Sequence, residues 1–126
     1  MSLKSKGLAL ERELVHLLQD HGFSAVRVAA SGATQTPSTD ILAGNTRSVY
    51  SFECKSVKGN SRYISKSQIA DFLVFSRKFG AQPFIAVRFS RKPWKFMLCE
   101  DLHETPGNFG FNRDLVERKG IDLADL

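Results

Sequence analysis

Cysteine is scarce in this chain: there are two, Cys54 and Cys99, far apart and without a CxxC pair. That argues against a disulfide framework, and the three histidines, His16, His21 and His103, show no spacing suited to structural zinc. Long hydrophobic runs are also missing. Nothing approaches the roughly 18 apolar residues of a membrane span, and the opening MSLKSKGLALEREL turns charged before a signal-peptide apolar region forms. The expectation is a soluble, cytoplasmic protein with no membrane partner. No internal repeat, low-complexity tract or long linker divides the 126 residues, 42% of which are hydrophobic, so residues 1–126 are expected to form a single domain. Acidic residues are in deficit, 13 against 18 Lys and Arg, and the resulting charge of +5 favours a polyanionic partner such as nucleic acid.

The patterning predicts a helix over about Ser5–His21, with Leu8, Leu10, Leu14, Val15, Leu17 and Leu18 on one arc and Gly22 as its stop. Strands follow at 24–30, at DILAG and around SFECKSV; after a Gly/Asn/Ser-rich loop comes a second helix, started by Ser65 and Gln68 at capping-box spacing and stopped by Gly80. On that helix Ile69, Phe72, Leu73, Phe75 and Phe79 are expected on one side. Strands at 83–89 and 94–100, joined by the turn SRKP, precede a TPGNFGF loop and a short terminal helix in GIDLADL. The order is helix, three strands, helix, two strands, which suggests an α/β or α+β sheet flanked by helices.

The segment SFECKSV carries a carboxylate and an ammonium inside an otherwise apolar strand. Period-two alternation puts Glu53 and Lys55 on one face, with Tyr50, Phe52 and Cys54 on the other, which is the natural core side. An E-x-K pair alone is common on solvent-facing strands and needs partners to mean anything. Asp40, thirteen residues before Glu53, is a turn cap in its simplest role; a hairpin closed by NTRS brings it beside Glu53, where two acids suit a hard cation. Glu11 lies near the middle of the leucine arc, while Glu13, His16 and Asp20 lie on the polar face. An ionised carboxylate on a core-facing stripe is costly unless paired or bound to metal. Three carboxylates and a lysine are the equipment of metal-dependent phosphodiester hydrolysis. Lys58, Arg62 and Lys66, in the loop after the odd strand, and Lys4, Lys6 and Arg12 near the N-terminus are either a solvated surface or phosphate contacts beside such a site.

These residues carry a resemblance. Asp40, then Glu53-Cys54-Lys55, preceded by a helical glutamate, resembles the PD-(D/E)XK nuclease superfamily, with Thr39 where proline usually precedes the aspartate. Within it the segments KGLALEREL, VRVAASG, STDILAGN, FECKS, RYISKSQIADFLVFSRKFG and GIDLADL, in that order over nearly the full length, resemble archaeal Holliday junction resolvases of the Hjc type. The resemblance implies a restriction-endonuclease-like central mixed β-sheet flanked by helices, and a magnesium-dependent endonuclease, with manganese as substitute, that makes paired symmetric nicks in four-way DNA junctions. It implies Glu11, Asp40 and Glu53 as metal ligands, Lys55 as the catalytic lysine and Ser31 as an active-site serine. Arg12, Arg27 and Gln68 match DNA-binding or site-proximal positions, and Phe75 and Phe79 match aromatic positions implicated in the dimer interface or DNA contact. A homodimer is implied, its surface expected on the second helix and the strand after it, with no small-molecule cofactor. The alternatives are a related endonuclease acting on other branched or damaged DNA, and a junction-binding module without catalysis.

Overall fold

The computed structural model describes residues 3–29 and 39–126, with side chains from Lys6 onward. Helix α1 spans Leu3–Asp20, followed by β1 (Ser24–Arg27), β2 (Ile41–Gly44) and β3 (Val49–Val57). A short strand, β4 (Ser61–Ser65), leads straight into α2 (Lys66–Phe79) and then β5 (Gln82–Phe89) and β6 (Lys95–Met97). The chain ends with β7 (His103–Glu104), β8 (Asn108–Asn112), α3 (Arg113–Lys119) and β9 (Ile121–Asp122), with single 3₁₀ turns at Cys99–Asp101 and Leu123–Asp125.

Among the described residues six strands form a mixed sheet in the order β1-β2-β3-β5-β6-β9, in which only β3 and β5 run parallel. That pairing requires a crossover, supplied by β4 and α2. Alternate residues of the central strands then enter two cores. Tyr50, Phe52, Phe84, Ala86 and Phe96 pack with Leu14 and Leu18 of α1. Val57, Ile85, Val87, Phe89 and Met97 pack with Ile69 and Phe72 of α2 and with Phe111 and Val116. In the first core Phe52 lies 5.3 Å from Phe96 and 6.2 Å from Phe84, ring centre to ring centre, close enough for the aromatic quadrupoles to add to simple burial.

Local signals explain most of the boundaries. Ser65 is the N-cap of α2, its hydroxyl accepting from the Gln68 amide at 3.2 Å, and Gly80 closes the helix at φ 86°, a left-handed conformation that glycine adopts without strain. Other expectations need correction. β1 stops at Arg27, short of residue 30, and the strand expected to run to Glu100 gives way to a 3₁₀ turn after Met97. The segment read as a Gly/Asn/Ser-rich loop contains β4, and TPGNFGF contains β8; with β7 they form a second, three-stranded antiparallel sheet. GIDLADL is a two-residue edge strand and a 3₁₀ turn, and the only α-helix of the C-terminal region is α3, started by the Asn112 side chain accepting from the Leu115 amide at 2.8 Å. On α2 the buried residues are Ile69, Phe72 and Ser76, whereas Leu73 and Phe79 are exposed, because the helix faces the sheet with a narrower stripe than its aromatic content suggested.

The face of β3 that carries Glu53 is also not the open side of the sheet. Ser51 is fully buried there, its hydroxyl 2.6 Å from that of Ser76 on α2, so α2 covers this face as α1 covers the other. A strand with a parallel neighbour is typically buried on both sides, which makes its ionisable residues costly and therefore informative.

The close approach at Gly120 gives a stability prediction. A Cβ there would meet the Val116 carbonyl oxygen, which already accepts the Gly120 amide at 2.7 Å, and would sit 3.2 Å from the Lys95 Cβ. Gly120→Ala is expected to lower unfolding stability by about 1–3 kcal/mol through overpacking at the α3–β9 junction. Denaturant unfolding checks this, and an unchanged midpoint would show that the junction has room to relax.

Candidate active site

The site forms where β2 stops and β3 continues. Asp40 immediately precedes β2; its amide donates to the Phe52 carbonyl at 3.0 Å and its own carbonyl accepts from Val28 at 2.8 Å. Thr39, buried, donates its hydroxyl to the same Phe52 carbonyl at 2.8 Å, so the backbone entering β2 is pinned to β3 by both residues. The Asp40 side chain turns toward β3, where its Oδ2 accepts from the Cys54 amide at 2.8 Å. A carboxylate thus takes over a sheet hydrogen bond just where the β2–β3 ladder ends, and this fixes its direction.

Glu53 is 8% exposed. Its carboxyl neighbours that of Asp40. Burial, reinforced by the adjacent carboxyl and negative charge of Asp40, pushes the Glu53 carboxyl up to about 9, against the opposing pull of the Lys55 ammonium. Two oxygen-bearing side chains that meet in a sheltered place form a seat for a cation. Glu11 adds charge from α1. Burial raises its carboxyl first, the negative charge of Asp40 adds to this, and Arg27, whose Nη1 stands 3.9 Å from its Oε1, acts the other way. Cys54 registers the whole cluster: burial pushes its thiol well above the usual range, and the charges of Asp40, Glu11 and Glu53 push it further in the same direction.

The expected residues therefore divide. Glu11, Arg27, Asp40, Glu53 and Lys55 are brought into mutual electrostatic reach. Arg12 is exposed on α1 beside Glu11, and Lys58 is exposed in the turn after β3. Arg62 instead donates Nη1 to the Ser56 carbonyl at 2.7 Å and ties β4 to β3. Lys66 pairs with Glu104 at 2.7 Å and lies 5.7 Å over the Phe109 ring, while the Gln68 amide serves the Ser65 cap and its side chain is exposed. Phe75 and Phe79 stack on each other at 5.6 Å along α2. Ser31 lies outside the described residues.

Two features escaped the sequence reading. Thr39 acts on the site through the backbone that positions Asp40, a role without a sequence signal of its own. Glu13, placed on the polar face of α1, accepts from Trp94 Nε1 at 2.8 Å and Arg88 Nε at 3.3 Å and joins the helix to the far strands.

Among the described residues no trio of His, Cys, Asp or Glu side chains closes to metal-ligand spacing. The donor chemistry nevertheless fits a hard divalent cation. Asp40 and Glu53 converge and both present carboxyl oxygen, the ligand type such a cation takes.

Known proteins resemble this chain in sequence and fold. Residues 2–126 match the family model described as archaeal Holliday junction resolvase (Hjc). The chain is 36% identical over 124 residues to the crossover junction endodeoxyribonuclease Hjc of Archaeoglobus fulgidus, covering 98% of this chain and 90% of that one. It is 34% identical to the protein of the same name from Sulfolobus acidocaldarius, covering 100% and 89%. The 1.6 Å crystal structure of the A. fulgidus Hjc, a Holliday junction resolvase, superposes with a TM-score of 0.89 at 33% identity, covering 94% of this chain and 97% of that one. The chain belongs to the archaeal Holliday junction resolvase (Hjc) family, a family of nucleases with this α/β fold.

Proposed function

We propose that this chain is an endonuclease that resolves four-way DNA junctions by metal-dependent phosphodiester hydrolysis, acting as a homodimer. The observation that carries the reading is the convergence of half-buried Asp40 on buried Glu53 at the end of the β2–β3 ladder, with Lys55 on the same strand as Glu53. Asp40 and Glu53, joined by Glu11 from α1, would hold magnesium, or manganese in its place. Bound there, the ion supplies a Lewis acid for the scissile phosphate and lowers the pKa of an attacking water. Lys55 contributes a compact positive charge that orients that water and offsets the charge developing on the phosphate. Arg27, 3.9 Å from Glu11, favours its charged form, and Ser31 joins the site by resemblance.

A four-way junction has approximate two-fold symmetry, so two identical sites related by a C2 axis suit opposed strands. The exposed apolar residues of α2, Phe79 at 54% and Leu73 at 37%, support that helix as the dimer surface. The following strand, β5, has both edges occupied, by β3 and β6. Arg12, Lys58 and Gln68 remain exposed for DNA, whereas the guanidinium of Arg62 and the ammonium of Lys66 are engaged within the fold. Binding through phosphates gives steep salt dependence and little sequence preference.

The test is cleavage of a labelled four-way junction, a flap and a linear duplex of matched sequence, in magnesium and in chelator. Paired symmetric nicks confined to the junction and lost in chelator are expected. Equal cutting of flap or duplex would assign the chain to a related endonuclease of other specificity, and tight binding without cleavage would leave a junction-binding module.

A further inference from the structure

Just beyond the catalytic strand positions the surface forms a cleft of about 250 Å³, lined by Lys6, Ser56, Lys58, Arg88, Ser90 and Arg91 with Leu10 as an apolar base. It gathers four basic side chains and two serines from α1, the end of β3 and the turn after β5. Arg88 is held in place by its ion pair with Glu13, Nε 3.3 Å from the carboxylate, and by Nη1 donating to the Phe89 carbonyl at 3.0 Å, so it shapes the wall while its charge is matched within the fold. Lys58 and Arg91 are exposed, and neither has an ion-pair partner among the described residues.

Arg91 adds an independent observation. It occupies the turn closed by the Lys92 amide donating to the Phe89 carbonyl at 3.0 Å, with φ at 62°, the only non-glycine residue with positive φ among those described. A position of this kind favours glycine or asparagine, and a long branched cation there is held against its backbone preference. Strain kept where a glycine would relax it is a signature of a side chain retained for what it contacts.

We propose that Lys6, Lys58 and Arg91 form a subsite for a non-scissile backbone phosphate of the DNA strand being cut. The proposal rests on the junction-nuclease reading and deepens it. Lys58 is three residues beyond Lys55, in the turn just past the end of β3, at most about 10 Å of chain away, which places the cleft within one or two nucleotides of the scissile position. Ser56 and Ser90 supply hydroxyl donors to a phosphate oxygen, and Arg88, ion-paired with Glu13, forms a fixed wall of the cleft while Lys6, Lys58 and Arg91 supply its positive charge. Such a contact sets the register of the strand over Glu53 and carries no base sequence information.

The experiment compares wild-type protein, Arg91→Gly, Arg91→Lys and Lys58→Ala for junction affinity across a salt series, with thermal unfolding of each. Arg91→Gly is expected to keep or raise the unfolding midpoint while weakening binding about three- to tenfold and reducing the slope of log affinity against log salt by about one. Arg91→Lys is expected to restore most of the slope, and Lys58→Ala to lower it by a similar amount. Unchanged affinity and slope in Arg91→Gly would overturn the subsite alone. A lost midpoint accompanying the lost affinity would assign Arg91 to the turn instead, and wild-type protein that binds no DNA would overturn both the subsite and the nuclease reading.

Discussion

Asp40→Asn is expected to reduce junction cleavage by about a thousandfold or more while junction binding stays at least as tight as in the wild type. The substitution keeps the fold because the side-chain oxygen of the introduced asparagine still accepts the Cys54 amide, the bond that Asp40 makes at 2.8 Å. What it removes is one of two negative oxygen donors at the cation seat, together with a charge that repels the phosphate backbone. Losing one well-placed electrostatic contact in a sheltered site commonly costs about two to three powers of ten, and a ligand to the ion is expected to reach the upper end or beyond. Single-turnover cleavage and gel-shift binding on the same junction separate the two effects. A variant that cuts at the wild-type rate would remove Asp40 from the site.

In the absence of divalent ions the protein is expected to lose stability as pH rises from 4.5 toward about 9. The unfolded chain releases the Glu53 proton near the ordinary value of 4.5, whereas the folded chain holds it to about 9. Through that window the folded state binds more protons than the unfolded state, so each step up in pH favours unfolding; the stabilisation is complete below 4.5 and spent once the folded carboxyl ionises. Glu11, also raised by burial and by Asp40, acts in the same sense. The loss is on the order of a few kcal/mol. Glu53→Gln, which mimics the protonated form, should flatten the profile, and magnesium should raise the unfolding midpoint most at the alkaline end, where it replaces the proton. Urea titrations in chelator at several pH values measure this, and a flat wild-type profile would mean that Glu53 is already ionised in the metal-free fold.

The acid pair was legible because its logic is local: a short turn, NTRS, returns the chain on itself so that residues thirteen apart meet, and alternation puts Lys55 beside Glu53. Glu11 was legible as an anomaly, a charge on a leucine stripe, whereas its pairing with Arg27 of β1 had no signal in the sequence. The second sheet was not. β4 and β8 are rich in Ser, Asn and Gly, residues that ordinarily mark turns, and they are strands because each pairs with the other across almost fifty residues, a preference no local window contains. The same holds for the α2 face of β3. Ser51 reads as a surface residue until Ser76, twenty-five positions away, satisfies its hydroxyl in the interior. Arg62 and Lys66 look identical to DNA-facing cations in sequence, and only the geometry shows them spent on Ser56 and Glu104.

The two edges of β3 differ in how the chain reaches them, and this bears on the order in which the protein assembles. Its β2 edge is joined by a tight turn, whereas its β5 edge waits for β4 and all of α2 to be laid down between them. Hairpins close in microseconds, while pairings between remote segments carry a larger loop-closure cost and come later. Asp40 and Glu53 thus meet on the early edge, and the hydrophobic cover that makes their meeting costly arrives afterwards with β5 and α2. Nascent chains would pass through a stage in which the two acids are adjacent but still hydrated, and the penalty of enclosing them falls on the final closure of the fold.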